Sequence, residues 1–262
     1  VQLSEHSLGS LSVVRTIAFG DIHGCNKAVR ALIEIIEPTA DDTLVFLGDY
    51  IDRGPDSRGT LDYLLELEAQ YRTVFLRGNH EIMFSGCTMH GMDPTLWYQM
   101  GGRTTLVSYG GHLDAVPANH RDFVRRCLPH YENESHFFVH ANYLAELPMD
   151  QQPESSLYWE HLHERMPVPH CSGKTAWLGH SPQMQGHIAD WGYLLCIDTF
   201  CFGGMYLTAI DVDSREIWQA DKWGNLRGHR SPVLKFGKWL WRRWQQQRLK
   251  RHGGQNPQSP PG

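Results

Sequence analysis

Hydrophobic and polar positions alternate in a repeating way over the first eighty residues. Three short apolar or β-branched runs, Val13–Phe19, Thr43–Leu47 and Thr73–Leu76, each give way to a polar turn containing glycine: GDIHG, GDYIDRG and GNHE. Runs of that length predict buried strands, and glycine ends each one where the backbone must turn sharply. Between them the spacing becomes that of helices, over Lys27–Ile36 and Thr60–Ala69. In the first, Val29, Leu32, Ile33 and Ile36 recur at three- and four-residue steps, which gathers them on one face. Strand, helix, strand, helix, strand predicts parallel βαβ pairing. The polar turns then collect at the carboxyl edge of the sheet, where ligand sites of such sheets form.

Residues 82–135 lose this regularity and read as helices and loops, broken at Gly101-Gly102 and Gly110-Gly111. Further strands are predicted at His136–Val139 before His140, at Thr175–Leu178 before GHSP, and at Tyr193–Ile197. Tyr206–Val212 and Glu216–Ala220 read as a hairpin joined by Asp213-Ser214-Arg215. Neither a repeat nor a linker interrupts the first 225 residues. Residues 1–225 are therefore expected to form one α/β domain of two packed mixed sheets flanked by helices. A basic, Trp-rich segment at 226–252 is predicted helical, and the polar Pro/Gly-rich end, 253–262, disordered.

Composition narrows the chemistry. The six cysteines (25, 87, 127, 171, 196 and 201) are scattered without a CxxC pair, so any metal must be held by oxygen and imidazole ligands. Val1–Ser12 lacks the features of a secretory leader, and no apolar run approaches the roughly 18 residues of a membrane span. With unpaired cysteines, this predicts a cytoplasmic protein. The net charge of −5 conceals an asymmetry: residues 222–262 hold ten Lys/Arg and no acid, leaving 14 Lys/Arg against 29 Asp/Glu in the rest. An acidic body argues against a nucleic-acid groove on the core.

The strand-end turns carry the candidate chemistry. In an extended DIH segment Asp21 and His23 point the same way. Asp49 leaves the next strand edge, Asn79 and His80 the one after, and His140 and His180 leave two later ones. Carboxylate, imidazole and amide oxygen suit Mn, Fe or Zn. Two such ions sharing a carboxylate activate water and clamp the oxygens of a phosphoryl group in in-line displacement. A lone Asp or His at a strand end is usually a cap or a satisfied polar group. Seven in five Gly-flanked turns are not explained that way.

GDIHG (20–24), GDYIDRGPDS (48–57), GNHE (78–81), VHA (139–141) and GHSP (179–182) together resemble the calcineurin-like metallophosphoesterases. More narrowly they resemble the PPP-type serine/threonine phosphoprotein phosphatases, the bacterial and lambda-phage branch in particular. The resemblance spans residues 13–212. It implies two divalent metal ions, Mn by preference, with Asp21 and His23 on the first, Asp49 bridging, and Asn79, His140 and His180 on the second. It also implies a metal-bridging hydroxide as direct nucleophile, His80 as general acid oriented by Asp52, and Arg53 as the phosphate-binding fork. The substrate would be a phosphoprotein or a small phosphoester. Cys25, just after GDIHG, reads as a packed side chain rather than a nucleophile.

Four places depart from the family pattern or separate its branches. GHSP has Pro182 where many relatives place a second metal-binding His; His187 is a weak substitute, since Gln183–Gly186 reads as a loop tip. Asp52 in DRG favours phosphomonoester cleavage over symmetrical dinucleoside tetraphosphate hydrolysis, the alternative activity. His161 stands where the phage branch has a phosphate-binding arginine, with Arg103 and Lys174 as candidates to restore the charge. Phe200 follows IDT where glycine is usual, as a pocket wall or as core. The tail, with Trp239, Trp241 and Trp244 and seven Lys/Arg over 235–251, suits either a contact with a partner or membrane surface, or packing on the acidic body.

Overall fold

The computed structural model describes residues 14–228. Strand β1 (Thr16–Phe19), helix α1 (Asn26–Ile36), β2 (Thr43–Phe46), α2 (Ser57–Glu68) and β3 (Arg72–Phe75) follow in the predicted order. The three strands are parallel, with Phe19, Phe46 and Phe75 level with one another. Their rings stack across the sheet at 4.5 and 5.1 Å, pairs worth about 0.5–1.5 kcal/mol each beyond burial. Because the three strands end level, the turns that follow leave the sheet at the same height. Helix α1 stops at Glu37, whose left-handed backbone returns an N–H to the Ile33 carbonyl, and Pro38 follows. Helix α2 starts at Asp56, whose carboxylate accepts the Gly59 N–H at 2.9 Å.

The irregular middle holds α3 (Asn79–Met89), the single turn α4 (Thr95–Trp97), α5 (Arg103–Ser108) and α6 (Ala118–Arg126). The chain then builds a second sheet from β4 (His130–Glu132), β5 (His136–Val139), β6 (Thr175–Leu178), β7 (Ala189–Asp190) and β8 (Leu194–Cys196), with α7 (Glu154–Tyr158) between β5 and β6. It returns to the first sheet through the antiparallel hairpin β9 (Tyr206–Asp211) and β10 (Ile217–Asp221). The strand orders are β10-β9-β1-β2-β3 and β4-β5-β6-β8-β7. Each sheet has three parallel strands and is mixed, as expected. The short edges β4 and β7 were not foreseen, being too brief to show an alternation.

Alternate residues of each strand face opposite layers. Ala18, Val45 and Leu47 of the first sheet meet Phe138, Trp177 and Leu195 of the second in the core between them. Ile17, Phe19, Leu44 and Phe46 face α1 and α2 instead, and Phe137, Val139, Ala176 and Leu178 face the segment around Tyr143, Met149 and Leu157. Among the described residues no helix is long and apolar enough to cross a membrane. The predicted tail helix and disordered end lie outside the described residues.

One buried carboxylate ties the start of β1 to the turn before β2. Asp42 accepts the Arg15 backbone N–H at 3.1 Å, its guanidinium at 2.6 Å, and the Thr39 N–H at 2.8 Å. Burial alone would raise this carboxyl, but Arg15 and the two amides overcome it and hold it below the usual range. Its stabilisation is therefore complete above the unfolded carboxyl pKa and is lost as pH falls through the lower folded value. Asp42→Asn is expected to reduce the unfolding free energy by about 1–3 kcal/mol at pH 7. The difference from the parent should shrink as a denaturation series is carried below about pH 4.

Candidate metal centre

Every turn that leaves the carboxyl edges of the parallel strands brings a polar side chain to one place, and Asp49 lies at its centre. One carboxylate oxygen, Oδ2, lies 3.5 Å from His23 Nε2 and 3.9 Å from His80 Nε2. The other, Oδ1, lies 3.4 Å from His140 Nε2. Two triads of metal-binding type result, His23–Asp49–His80 and Asp49–His140–His180, each with its candidate ligand atoms within 4.8 Å of one another. Burial alone would raise the Asp49 carboxyl, but four imidazoles, His140 foremost, hold it far below the usual range. The N-terminus of α3 also points at it, with the His80 N–H donating to Oδ1 at 3.2 Å. Only glycine fits beneath this carboxylate, since a Cβ on Gly78 would lie 2.1 Å from Oδ1.

Three imidazoles are pre-set as neutral candidate ligands. His23 Nδ1 bonds the Ile51 carbonyl at 2.9 Å, His140 Nδ1 the Leu47 carbonyl at 2.8 Å, and His180 Nε2 the Trp159 carbonyl at 3.0 Å. A carbonyl only accepts, so each ring carries its proton there and turns its lone pair inward. Burial lowers all three in pKa, His180 to about 3, so they are neutral, as metal ligands must be. Asn79 completes the set. Its Oδ1 lies 3.1 Å from His140 Nε2 and 3.3 Å from His180 Nδ1 and from both Asp49 oxygens. Four acceptors around an amide oxygen repel it unless they share a cation. Reversed, the two N–H groups of the amide would instead face the same four acceptors. This donor set fits divalent ions.

Asp21 is buried but lies outside both triads. Its oxygens accept the His180 backbone N–H at 3.2 and 3.1 Å. Burial, then Asp198 and Asp49, raise its carboxyl well above the usual range. The segment is not extended as expected: His23 turns left-handed at φ 44°. Asp198, pushed by burial and then by Asp49 to about 7 despite a bond from the Phe200 N–H, is an acid that sequence reasoning passed over.

His80 and Asp52 form the second half of the arrangement. His80 Nδ1 lies 2.6 Å from Asp52 Oδ2, while its buried Nε2 has no hydrogen-bond partner. Burial would lower this imidazole, but Asp49 and Asp52 raise it above its ordinary value. Asp52 is itself fixed, accepting from Trp97 Nε1 at 2.8 Å and Thr105 Oγ1 at 2.6 Å. Trp97 and Thr105 come from the irregular middle and carried no motif. The only mark they left was the glycine pair: a Cβ on Gly102 would lie 2.3 Å from the Trp97 ring, and one on Gly101 2.6 Å from Arg53. Glu81 was also passed over, although it closes GNHE. Its carboxylate accepts the N–H groups of Asp49, Tyr50 and Gly78 at 2.8–2.9 Å.

Arg53 stands beside the first triad, its guanidinium 3.1 Å from His23 Nε2. His161 reaches the second, its ring stacked on His180 at 4.1 Å. Arg103 is exposed and lies over Tyr98, Lys174 pairs with Glu132 at 2.7 Å, and His187 is exposed at a distant cavity lined also by Arg215 and Arg227. None of these three joins the cluster among the described contacts. Cys25 is buried, its thiol directed at the His23 carbonyl.

The architecture and this ligand set define a metallophosphoesterase. A family model described as calcineurin-like phosphoesterase matches residues 14–249, and the chain belongs to that family, whose members use a dinuclear divalent metal centre. The chain is 42% identical over 66 residues to symmetrical bis(5'-nucleosyl)-tetraphosphatases of Burkholderia pseudomallei (strain 668) and Burkholderia mallei (strain SAVP1). That match spans 25% of this chain and only 23% of those relatives. Among solved structures, one assigned provisionally as a diadenosine tetraphosphatase aligns with a TM-score of 0.62 at 19% identity, over 80% of this chain and 94% of its own. The cold-active protein-tyrosine phosphatase of a psychrophilic Shewanella aligns at 0.59 and 12%, over 82% and 80%. At such identities the likeness is one of fold.

Glu81→Gln tests the backbone support of the centre. An amide nitrogen would face backbone donors, so a loss of about 1–3 kcal/mol in unfolding free energy is expected. Mn retention after dialysis, measured by elemental analysis, should fall with it, because the turn carrying Asp49 loses its anchor.

Proposed function

We propose that this chain is a metal-dependent phosphoester hydrolase acting on phosphomonoesters with alkoxide leaving groups, as in phosphoserine and phosphothreonine of proteins. The observation that carries this reading is the His80–Asp52 pair at 2.6 Å, with His80 Nε2 buried and unpartnered beside the cluster. Asp52 keeps the Nδ1 proton and the ring orientation, so Nε2 is the atom that delivers a proton to the leaving oxygen. An alkoxide needs that proton to leave; a nucleotide expelled from a phosphoanhydride needs it far less.

Divalent ions, Mn by preference, held by Asp21, His23 and Asp49 and by Asp49, Asn79, His140 and His180, would polarise the phosphoryl oxygens and lower the pKa of an attacking water. Arg53 offers a planar two-donor fork to the phosphate oxygens at the mouth of the first triad. His161, on the face of His180, adds a donor at the second. The acidic body disfavours a nucleic acid as substrate.

A second reading is symmetrical hydrolysis of dinucleoside tetraphosphates. It is supported by the names of the relatives that are 42% identical over 66 residues. The two separate on one assay: Mn-loaded protein against phosphopeptides, an aryl phosphate and diadenosine tetraphosphate, with chelator controls. Chelator-sensitive turnover is expected to favour phosphopeptides. The opposite ranking selects the second reading, and no turnover with metal bound sinks both. His80→Asn should slow phosphopeptide turnover by about 10²–10⁴-fold and an activated aryl phosphate much less. Equal losses on both would remove His80 from the role of proton donor.

A further inference from the structure

We infer that Phe202 is a positioning residue for Arg53: its ring forms the platform on which the phosphate-binding guanidinium rests. The inference depends on the reading of Arg53 as a phosphate ligand. The Arg53 guanidinium carbon lies 5.0 Å from the centre of the Phe202 ring. The same ring meets His23 edge to face at 4.8 Å and 81°. One aromatic side chain thus touches both the charge that would meet the phosphate and an imidazole of the first triad.

The other contacts of Arg53 show why such a platform matters. Its Nε donates to the Met100 carbonyl at 3.3 Å, its backbone N–H to the Gly101 carbonyl at 3.2 Å, and its Nη1 lies against His23 Nε2. None of these partners is a carboxylate, so the charge remains available to an anion. A carboxylate would hold the guanidinium more firmly but would compete with phosphate for the same fork. The negative face of an aromatic ring attracts the cation and leaves its in-plane N–H donors free.

The loop beneath carries a matching distortion. Phe200 adopts a left-handed backbone with φ 60°, which costs about 1–2 kcal/mol for a residue with a Cβ. Asp198 Oδ1 accepts its N–H at 3.0 Å, and the Met205 N–H bonds its carbonyl at 3.1 Å. Its ring then packs edge to face on Phe202 at 4.8 Å and 69°. Glycine would adopt this backbone without strain but would leave Phe202 unsupported on that side. Phe200 therefore buttresses Phe202, and Phe202 carries Arg53.

The test uses the full chain loaded with Mn and inorganic phosphate as probe, read both as a competitive inhibitor and by calorimetric binding. Phe202→Leu is expected to weaken phosphate about 3- to 20-fold, the range of a cation–π contact, while Phe202→Tyr stays within about twofold of the parent. Phe200→Gly should weaken phosphate in the same direction despite the relieved backbone. Arg53→Ala should lose at least as much as Phe202→Leu, and adding Phe202→Leu to it should cost nothing further. Unchanged phosphate affinity in Phe202→Leu alongside a loss in Arg53→Ala would overturn the inference. So would an undiminished Phe202→Leu effect without Arg53, or a loss of bound Mn in Phe202→Leu, which would place the role at His23. No effect of Arg53→Ala would instead overturn the phosphate reading on which the inference depends.

Discussion

A buried carboxylate is costly, and Asp49 is placed where the N-terminus of α3 and two groups of candidate metal ligands converge on it. His23 and His80 face one of its oxygens and His140 the other, so it stands between two groups of candidate ligands that belong to different sheets. Much of the surrounding structure keeps this contact in place. The start of α3 directs the His80 N–H to it, the absent side chain of Gly78 gives it room, and Glu81 holds the backbone it stands on. Asp49 and Glu81 are neighbours with opposite tendencies. Asp49 is held below the usual range against its burial, whereas burial and the charge of Asp49 push Glu81 up to about 8. Two carboxyl groups in adjacent turns are thereby made unlike by their environments.

The backbone shows where the fold bears the strain of this arrangement. Of the eight described non-glycine residues at positive φ, His23, Asp49, Asp52, Arg53, His180 and Phe200 lie at the centre, and only Glu37 and Arg215 lie away from it. Left-handed conformations with a Cβ persist only where neighbouring bonds over-determine them. Those bonds are present: the His23 N–H on the Asp49 carbonyl, the Asp49 N–H on Glu81, and the Asp52 N–H on Ser57 and Thr105. A strained turn aims a side chain back across the strand edge. A regular strand or helix would point it along the sheet or away from it.

The seven polar residues at the strand ends were legible in the sequence because each follows a strand whose length and apolar character announce it. The parallel order of β1, β2 and β3 then placed five of them, Asp21, His23, Asp49, Asn79 and His80, at one edge. The hairpin β9–β10 was legible for a similar reason. The supporting residues were not. Trp97, Thr105 and Phe202 act through contacts with residues far along the chain, and nothing in their immediate neighbours marks them. In the sequence Gly101-Gly102 predicts a break in a helix, and φ 112° at Gly101 agrees. Their tighter constraint is the space they leave for Arg53 and Trp97, which only the packed fold defines. Asp21 shows the converse: its motif was plain, yet it accepts from the His180 amide 159 positions away, a contact that its own neighbours do not announce.

The division of the centre between two sheets also bears on how the molecule comes into being. Asp21 and the His180 amide are joined across 159 positions of chain, and His140 meets the Leu47 carbonyl across 93. Contacts so distant are slow to close, since loop entropy must be spent before they return anything. A nascent chain that has built only β1 to β3 would hold Asp21, His23, Asp49, Asn79 and His80 but lack both imidazoles of the second triad. The first triad can therefore form in a half-built chain, whereas the second, and with it a complete centre, waits for the finished domain.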